Sequence, residues 1–278
     1  MRDAEVADGG PFPVIGFSHG NQGLRYQNFT LAGHLASHGF VVFSPDHIGN
    51  AIFAERDDGS VVFYEDLFGV EALNDRIADM RFLMDQFRGF AEGGGRSFLA
   101  GHIDVERGFG MAGHSFGGAT AIGVAGADAR VVSIMPLAAS VFTSPPDINP
   151  PVRQPSLIAI ATEDKTIGQD GNAENVALFA ASTGRRLFAE FPNAGHFTFS
   201  DACALALGII GGSDGCGDGT RYGSGEAFTF LPADEFNPLQ NGLAAAFFNW
   251  SLNGDRTMIP VLRSNPDGDE ILYDTTAF

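Results

Sequence analysis

Six short apolar runs alternate along the chain with segments of helical spacing, and this alternation restricts the fold more than any other feature. Strands joined by crossover helices form a parallel sheet, and such strands read as short apolar runs between turn residues. The runs are PVIGFS (13–18), FVVFSP (40–45), GFGMAG (108–113), VVSIMPL (131–137), SLIAIAT (156–162) and RRLFAEF (185–191). The alternation therefore predicts an α/β fold, with a mostly parallel sheet and helices on both faces.

Helical spacing predicts one helix that ends at Gly39, a second from about residue 65 to 89, and a last one that Gly254 caps and that closes the chain. The residues that share a face are Leu31 and Leu35 in the first helix, Leu73, Ile77, Met80, Met84 and Phe87 in the second, and Leu243, Phe247 and Trp250 in the third. No internal repeat or Pro-rich linker divides the chain, so we expect one domain over residues 1–278. A loop rich in Gly and Asp is expected from about 207 to 237.

Composition excludes two classes of partner. The formal net charge is −18, from 34 acidic residues against 16 lysines and arginines, so nucleic acid would be repelled. No apolar run reaches the roughly 18 residues that span a bilayer, which predicts a chain without a membrane span. The sequence does not indicate an oligomeric state.

Cys203 and Cys216 are the two cysteines of the chain. Their isolation in one Gly-rich stretch predicts a disulfide that braces the segment around His196, with two free thiols as the alternative. The segment from 201 to 208 is expected to be a short helix. A disulfide would imply an oxidising compartment, so we expect a periplasmic or secreted protein, although no signal peptide opens this chain.

The run GFGMAG continues into the pattern G-x-S-x-G at residues 113–117, which in one class of fold puts a serine on a sharp turn between a strand and a helix. A serine hydroxyl is a weak nucleophile until a histidine takes its proton and a carboxylate orients that histidine. If Ser115 is the nucleophile, an acid and then a histidine should follow, each after a strand.

Both partners occur in that order. Asp164 follows the run SLIAIAT and would orient the imidazole, whereas His196 follows RRLFAEF and would act as base and then as acid. Glu163 and Asp170 follow the same strand as Asp164 and remain alternatives for the acid.

Two backbone amides are predicted to hold an oxyanion. One belongs to Phe116, directly after the serine, and the other to Asn21, in the loop SHGNQG after the first apolar run. The glycines of that loop allow the backbone to approach a substrate carbonyl closely. The further residues expected to contact substrate are Gln22, Ala139, Val141 and Phe197.

The remaining histidines and acidic runs are expected to have no catalytic part. We expect His19 and His114 to support packing beside the site, and His47 to be exposed to solvent, with a contact in the cleft as the alternative. The acidic stretches at 213–219 and 267–270 do not match the twelve-residue calcium loop, so no metal is predicted.

The run FSHGNQGLRYQNFTLAGHLASHGFVVFSPDH, together with GHSFGGAT, resembles the platelet-activating-factor acetylhydrolase and dienelactone-hydrolase-like branch of the α/β-hydrolases, which is related to cutinases and bacterial polyester hydrolases. The resemblance implies an α/β-hydrolase fold and a serine esterase without a cofactor. By position, it implies Ser115 as nucleophile, His196 as base, and Asn21 and Phe116 as oxyanion donors.

Two departures from that family are visible. In the animal acetylhydrolases the acid follows the strand after the nucleophile helix, but here residues 136–140 contain no carboxylate, so Asp164 takes the role as in cutinase-like members. This difference weighs against a phospholipid substrate. The antiparallel strands that normally precede the first run are also absent, so we expect either a truncated chain or a sheet without that edge.

The sequence thus predicts a serine carboxylic ester hydrolase that forms an acyl-enzyme on short to medium acyl esters. A polyester hydrolase and a phospholipid acetylhydrolase are alternatives, and all three would act on a small-molecule or polymeric ester. A dienelactone hydrolase is disfavoured because such enzymes use cysteine where this chain has Ser115. A catalytically inactive binding protein on the same fold is the alternative of another class.

Overall fold

The computed structural model describes residues 6–93, 98–145, 147–205, 214–265, 271–275 and 278. Its strands are β1 (Phe12–Ser18), β2 (Val41–Phe43), β3 (Phe53–Glu55), β4 (Val61–Phe63), β5 (Ile103–His114), β6 (Val131–Leu137), β7 (Ser156–Ala161), β8 (Arg186–Phe191), β9 (Asp218–Thr220), β10 (Ala227–Thr229) and β11 (Leu272–Asp274). Its helices are α1 (Phe29–Ser37), α2 (Val70–Ala91), α3 (Phe116–Ala127), α4 (Gly168–Ala181), α5 (Ala233–Ser251) and α6 (Met258–Arg263), with a 3₁₀ turn at His196–Phe199.

Seven strands form one sheet in the order β11-β8-β7-β6-β5-β1-β2. The six apolar runs are its six parallel strands, which confirms the prediction. The seventh strand, β11, pairs antiparallel with β8 and was not predicted, because three residues are too few to carry a periodic signal. At the other edge lies β2, and the described residues before β1, 6–11, contain no strand.

Helices cover both faces of the sheet, as predicted. Leu31 and Leu35 of α1 pack with Phe236 and Phe247 of α5 on one face. On the opposite face, α2, α3 and α4 bury a second cluster that includes Phe116. Because helices cover both faces, the central strands are apolar along most of their length, as is typical of parallel sheets.

The order of the strands creates a crevice between β1 and β5, which are neighbours. The chain leaves β1 towards α1 on one face and leaves β5 towards α3 on the other face. Where adjacent parallel strands diverge in this way, ligands bind outside their carboxyl ends. The loop after β1 and the loop after β5 therefore meet where this topology favours a ligand site.

Several predicted boundaries need correction. The second helix, α2, begins at Val70 and not near 65, because residues 64–67 hydrogen-bond to the loops around Asn21 and Asn50. The expected loop 207–237 contains the hairpin β9–β10 and the start of α5. Residues 201–205 form turns instead of a helix, and 206–208 lie outside the described residues. The chain does not close with α5, since α6 and β11 follow it.

In the part of the chain that the structure describes, no helix has the length and apolar character needed to cross a membrane.

Candidate active site

Ser115 lies on a tight turn between β5 and α3, with backbone angles φ +58° and ψ −120°. Left-handed φ is unfavourable for a residue with a side chain, so surrounding contacts must hold it. Its amide donates to the carbonyl of Leu137 at 2.8 Å. A Cβ at Gly113 would overlap the backbone of Gly117, and a Cβ at Gly117 would overlap that of Ser18. Both glycines of the motif are thus required by close backbone packing.

Asp164 and His196 are joined by a hydrogen bond. His196 Nδ1 donates to Asp164 Oδ2 at 2.8 Å, and both side chains are buried. The other oxygen, Oδ1, accepts from the amides of Thr166 at 2.9 Å and Ile167 at 3.0 Å, which fixes the carboxylate. With Nδ1 protonated, Nε2 of His196 carries a lone pair that can accept a proton.

The two alternative acids have other surroundings. Glu163 accepts from Arg221 at 3.0 Å and from the amide of Tyr222 at 2.6 Å, and so holds the hairpin loop between β9 and β10. Asp170 is exposed in the first turn of α4. Of the three candidate acids after β7, Asp164 is the one in contact with His196.

Across the described residues, no hydrogen bond joins Ser115 Oγ to His196. The ring centroid of His196 instead lies 4.6 Å from that of His114, the residue before Ser115, with the two rings tilted by 51°. Hydrogen bonds between nucleophile and base are often long in unliganded enzymes and tighten in the reacting complex.

The two amides predicted to bind an oxyanion have no protein acceptor among the described residues. Phe116 is the first residue of α3, where helical amides lack a partner one turn earlier. The amide of Asn21 differs from those of its neighbours Gly20 and Gln22, which both donate to acceptors in nearby loops. Gly20, the residue before Asn21, lies close to Ser115, since a Cβ built on it would be 3.3 Å from the Cβ of Ser115. Free N–H groups are the donors that stabilise a developing negative charge.

The side chain of Asn21 forms hydrogen bonds with the segment between β2 and α2. Asn50 donates to Asn21 Oδ1 at 2.8 Å, and Asn21 Nδ2 donates to the hydroxyl of Tyr64 at 3.2 Å. The amide of Gln22 donates to the carbonyl of Asn50 at 3.1 Å. Gln22 itself is exposed, with φ +56°. These contacts orient the loop that carries the Asn21 amide.

Arg76 supports the same loop from below, and sequence analysis missed it. Its guanidinium donates to Ser18 Oγ at 2.9 Å, to the carbonyl of His19, to Asn50 Oδ1 and to Thr120 Oγ1 at 3.0 Å. Burial lowers the pKa of Arg76 to about 9. The sequence did contain an indication that Arg76 is buried, because Arg76 is three residues after Leu73 and therefore lies on the apolar face of α2.

His47 is buried, so the prediction of an exposed side chain was wrong. The segment after β2 packs against the end of β1 and the loop that follows it. There His47 Nδ1 donates to Asp79 at 2.8 Å, and Nε2 pairs with Ser18 Oγ at 2.9 Å. Burial holds the pKa of His47 and of His19 well below the ordinary histidine value. His19 and His114 are also buried and hydrogen-bonded, as expected.

Asp214 links the loops that carry Asp164 and His196, and it was also missed. It accepts from the amides of His196 at 3.1 Å, Lys165 at 2.8 Å and Thr166 at 2.7 Å. Two residues later, Cys216 forms the predicted disulfide with Cys203, with Cα atoms 5.6 Å apart. Contacts between segments so distant in the chain leave no periodic trace in the sequence.

The residues predicted to contact substrate have different environments. Ala139 has no exposed surface and packs against Gly118 beneath the turn, so that prediction was wrong. Val141 and Phe197 are half-buried, and the ring of Phe197 lies 5.3 Å from that of His196.

A cluster of three phenylalanine rings that sequence analysis missed lies beside the turn. The ring of Phe68 is 55% exposed. Its centroid lies 4.8 Å from that of buried Phe116 and 5.6 Å from that of half-buried Phe142.

No group of three or more His, Cys, Asp or Glu side chains that could hold a metal ion exists among the residues the structure describes. The acidic stretch 267–270 lies outside them, as does residue 213.

Comparisons with known proteins agree with this architecture. The family model for platelet-activating factor acetylhydrolase, isoform II, matches residues 1–56, which contain β1, the loop of Asn21 and β2. No curated protein shows significant sequence similarity to the chain.

Among solved structures, a ferulic acid esterase from Streptomyces cinnamoneus superposes with a TM-score of 0.73 and 24% identity, over 95% of this chain and 74% of that one. At that identity the likeness establishes the fold. The strand order and the turn at Ser115 agree with an α/β-hydrolase fold, and over residues 1–56 the chain is similar to the platelet-activating factor acetylhydrolase, isoform II, family.

Proposed function

We propose that this protein is a serine carboxylic ester hydrolase, with Ser115 as nucleophile, His196 as general base and acid, and Asp164 as the residue that orients His196. The hydrogen bond from His196 Nδ1 to Asp164 carries the proposal, because the imidazole ring of that pair lies 4.6 Å from the ring of His114, directly before the strained turn of Ser115. The free amides of Phe116 and Asn21 supply the oxyanion site.

The reaction would proceed through an acyl-enzyme. As Ser115 Oγ bonds to the ester carbonyl carbon, His196 Nε2 takes the hydroxyl proton and the carbonyl π pair moves onto oxygen. The amides of Phe116 and Asn21 donate to that oxyanion. When the pair returns, the C–O bond to the alcohol breaks and His196 gives its proton to the leaving oxygen. A water then repeats both steps on the acyl group and releases the acid.

Short to medium acyl esters are the proposed soluble substrates. The ring cluster of Phe68, Phe116 and Phe142 favours a second candidate, an ester with an aromatic acid such as a polyester chain end, because planar rings pack well on exposed aromatic faces. The ferulic acid esterase found among the structural relatives is a further reason to test an aromatic acid. The net charge of −18 disfavours anionic interfaces such as acidic phospholipid surfaces.

A substrate panel tests the proposal. Initial rates would be measured on p-nitrophenyl acetate, butyrate and octanoate, methyl ferulate, an sn-2-acetyl phospholipid and a polyester film. Turnover of the p-nitrophenyl esters that disappears in Ser115→Ala is expected, with a fluorophosphonate probe attached to Ser115 in the wild type. No turnover and no labelling would favour a binding protein, and labelling at another residue would refute the nucleophile.

A pair of variants separates the two substrate candidates. If an aromatic acid packs on Phe68, Phe68→Ala should lower kcat/KM for methyl ferulate more than for p-nitrophenyl acetate. Phe63→Ala is the matched control, since Phe63 is a 69% exposed ring on β4 outside the cluster. Equal losses on both esters would leave only the short-acyl candidate.

The disulfide supports an oxidising location. Such bonds persist outside the cytosol, so we infer a periplasmic or secreted protein from the bond between Cys203 and Cys216.

A further inference from the structure

Three hydrogen bonds connect the loop of Asn21 to the loop of His196 in one unbroken chain. The amide of Gly20 donates to Gln27 Oε1 at 2.9 Å. Gln27 Nε2 pairs with His114 Nδ1 at 2.6 Å, and His114 Nε2 pairs with the carbonyl of His196 at 2.9 Å. Gln27 and His114 are both buried.

The chemistry of the end groups fixes the direction of every bond. A backbone N–H can only donate, so the oxygen of Gln27 must face Gly20 and its NH₂ group must face His114. His114 Nδ1 therefore accepts and carries no proton. Its proton sits on Nε2, which donates to the carbonyl of His196. Burial, and then the nearby His196, hold the pKa of His114 well below the ordinary value, so the ring stays neutral.

The residues packed around these three hydrogen bonds leave the Gln27 side chain little room to move. A Cβ at Gly23 would overlap Gln27 Oε1, and a Cβ at Gly20 would lie 3.3 Å from the Cβ of Ser115. The backbone carbonyl of Gln27 also accepts from the amide of Asp201 at 2.8 Å, just after the 3₁₀ turn that begins with His196. Gln27 thus touches the oxyanion loop with its side chain and the histidine segment with its backbone.

We infer that Gln27 and His114 are positioning residues that set the distance between the oxyanion donors and the catalytic histidine, an inference that rests on the proposed esterase function. Nucleophile, base and oxyanion site come from three separate loops, so their relative placement needs a connection. Gln27 joins the first loop, His114 is part of the second, and the carbonyl of His196 lies in the third. Neither side chain takes part in the chemical step.

Replacement of Gln27 by Met removes the connection while it keeps the volume of the side chain. Because a small misplacement of reacting groups lowers the reaction rate strongly, we expect kcat on p-nitrophenyl butyrate to fall about 10- to 100-fold, with KM nearly unchanged. Gln240→Met is the matched control, since Gln240 is another buried glutamine, on α5. It should keep the wild-type kcat. Circular dichroism and melting temperature would show whether each variant is folded.

Gln27→Glu gives a readout that a purely structural role would not produce. A carboxylate cannot donate to His114 Nδ1, so the series of hydrogen bonds is interrupted at that point. It is restored only when the introduced carboxylate and His114 together take up one extra proton. That proton restores the donor, and the pair loses it as pH rises. The ratio of activity in Gln27→Glu to that in Gln27→Met should therefore exceed one at the acid end of a pH 5–9 profile and fall towards one as the pair deprotonates.

The outcomes are distinct. Loss in Gln27→Met but not in Gln240→Met, with Gln27→Glu the more active at low pH, supports the inference. Wild-type kcat in a folded Gln27→Met, or identical Gln27→Glu and Gln27→Met at every pH, overturns it. Imidazole ¹⁵N shifts should show His114 with its proton on Nε2, and a proton on Nδ1 also overturns it. An inactive wild type would refute the esterase proposal instead, while the NMR result would still report on the hydrogen-bond chain.

Discussion

The two sides of the candidate site are held in different ways. The nucleophile side, residues 18–28 and 113–118, is placed by glycines in close backbone contact and by the buried guanidinium of Arg76. The histidine side, residues 162–167, 193–203 and 214–216, is placed by carboxylates that accept from backbone amides and by one disulfide.

This difference has a structural cause. Residues 113–118 of the nucleophile side run directly from β5 into α3 and are all buried, so packing encloses this backbone. The histidine side includes the exposed residues Lys165, Thr166 and Asn193, and specific polar contacts hold its loops. We therefore expect changes to the close backbone packing or to Arg76 on the nucleophile side to disturb folding and catalysis together. On the histidine side, we expect effects on folding and on catalysis to be separable.

The sharpest test on the histidine side is Asp164→Asn. An amide can leave the wrong tautomer on His196, and the corresponding change in a serine protease costs about 10⁴ in kcat, so we expect a loss on the order of 10⁴ with an unchanged fold. Stopped-time hydrolysis of p-nitrophenyl butyrate measures it. Asp170→Asn, at an exposed position on α4, is the control and should keep full activity. The opposite pattern would identify Asp170 as the acid.

Opening the disulfide should have the next largest effect, on stability. In the chain-entropy model a loop of this size contributes about 3 kcal/mol, so Cys203→Ala with Cys216→Ala should lower the unfolding free energy by about that amount. Denaturant titration would measure it, and kcat at low temperature should change little. Alkylation of two thiols in the denatured wild type without reductant would contradict the bond.

Arg76→Lys tests the nucleophile side. Lysine keeps the charge but cannot reach Ser18, His19 and Thr120 at once, because it lacks the planar fork of arginine. Hydrogen bonds to charged groups contribute about 1.5–3 kcal/mol each, so we expect the unfolding free energy to fall by about 2 kcal/mol, together with kcat. Arg81→Lys, half-exposed on the same helix, is the control. Loss of activity without loss of stability would contradict the expected coupling.

The smallest effect is expected for Asp214→Ala. Three amides of the histidine side lose an acceptor, but solvent can reach this partly exposed position and replace it. We expect kcat to fall about tenfold, since the His196 loop would be less well placed. The melting temperature should drop less than in the double cysteine variant. A fall in kcat as large as that of Asp164→Asn would show that Asp214 has a more direct part.

Much of the fold and of the candidate site could be predicted because its signals are local. Apolar runs marked six strands, and the pattern around Ser115 marked a turn whose glycines close packing requires. Asp164 and His196 each follow a strand, and carboxyl ends of parallel strands meet at one edge of the sheet. Order along the chain was therefore enough to bring the two residues together, and their hydrogen bond agrees with that expectation.

What the tertiary structure alone decided is the support around those residues. Four polar residues have hydrogen-bond partners far away in the sequence: Arg76, Gln27, His47 and Asp214. Which partners they meet depends on the paths of the loops, and no periodic pattern in the sequence encodes those paths. The same holds for Ala139, which was expected to contact substrate but is enclosed by packing against Gly118. Sequence determines secondary structure and strand-end position through local periodicity, whereas long-range polar contacts are decided only when the helices and loops pack together.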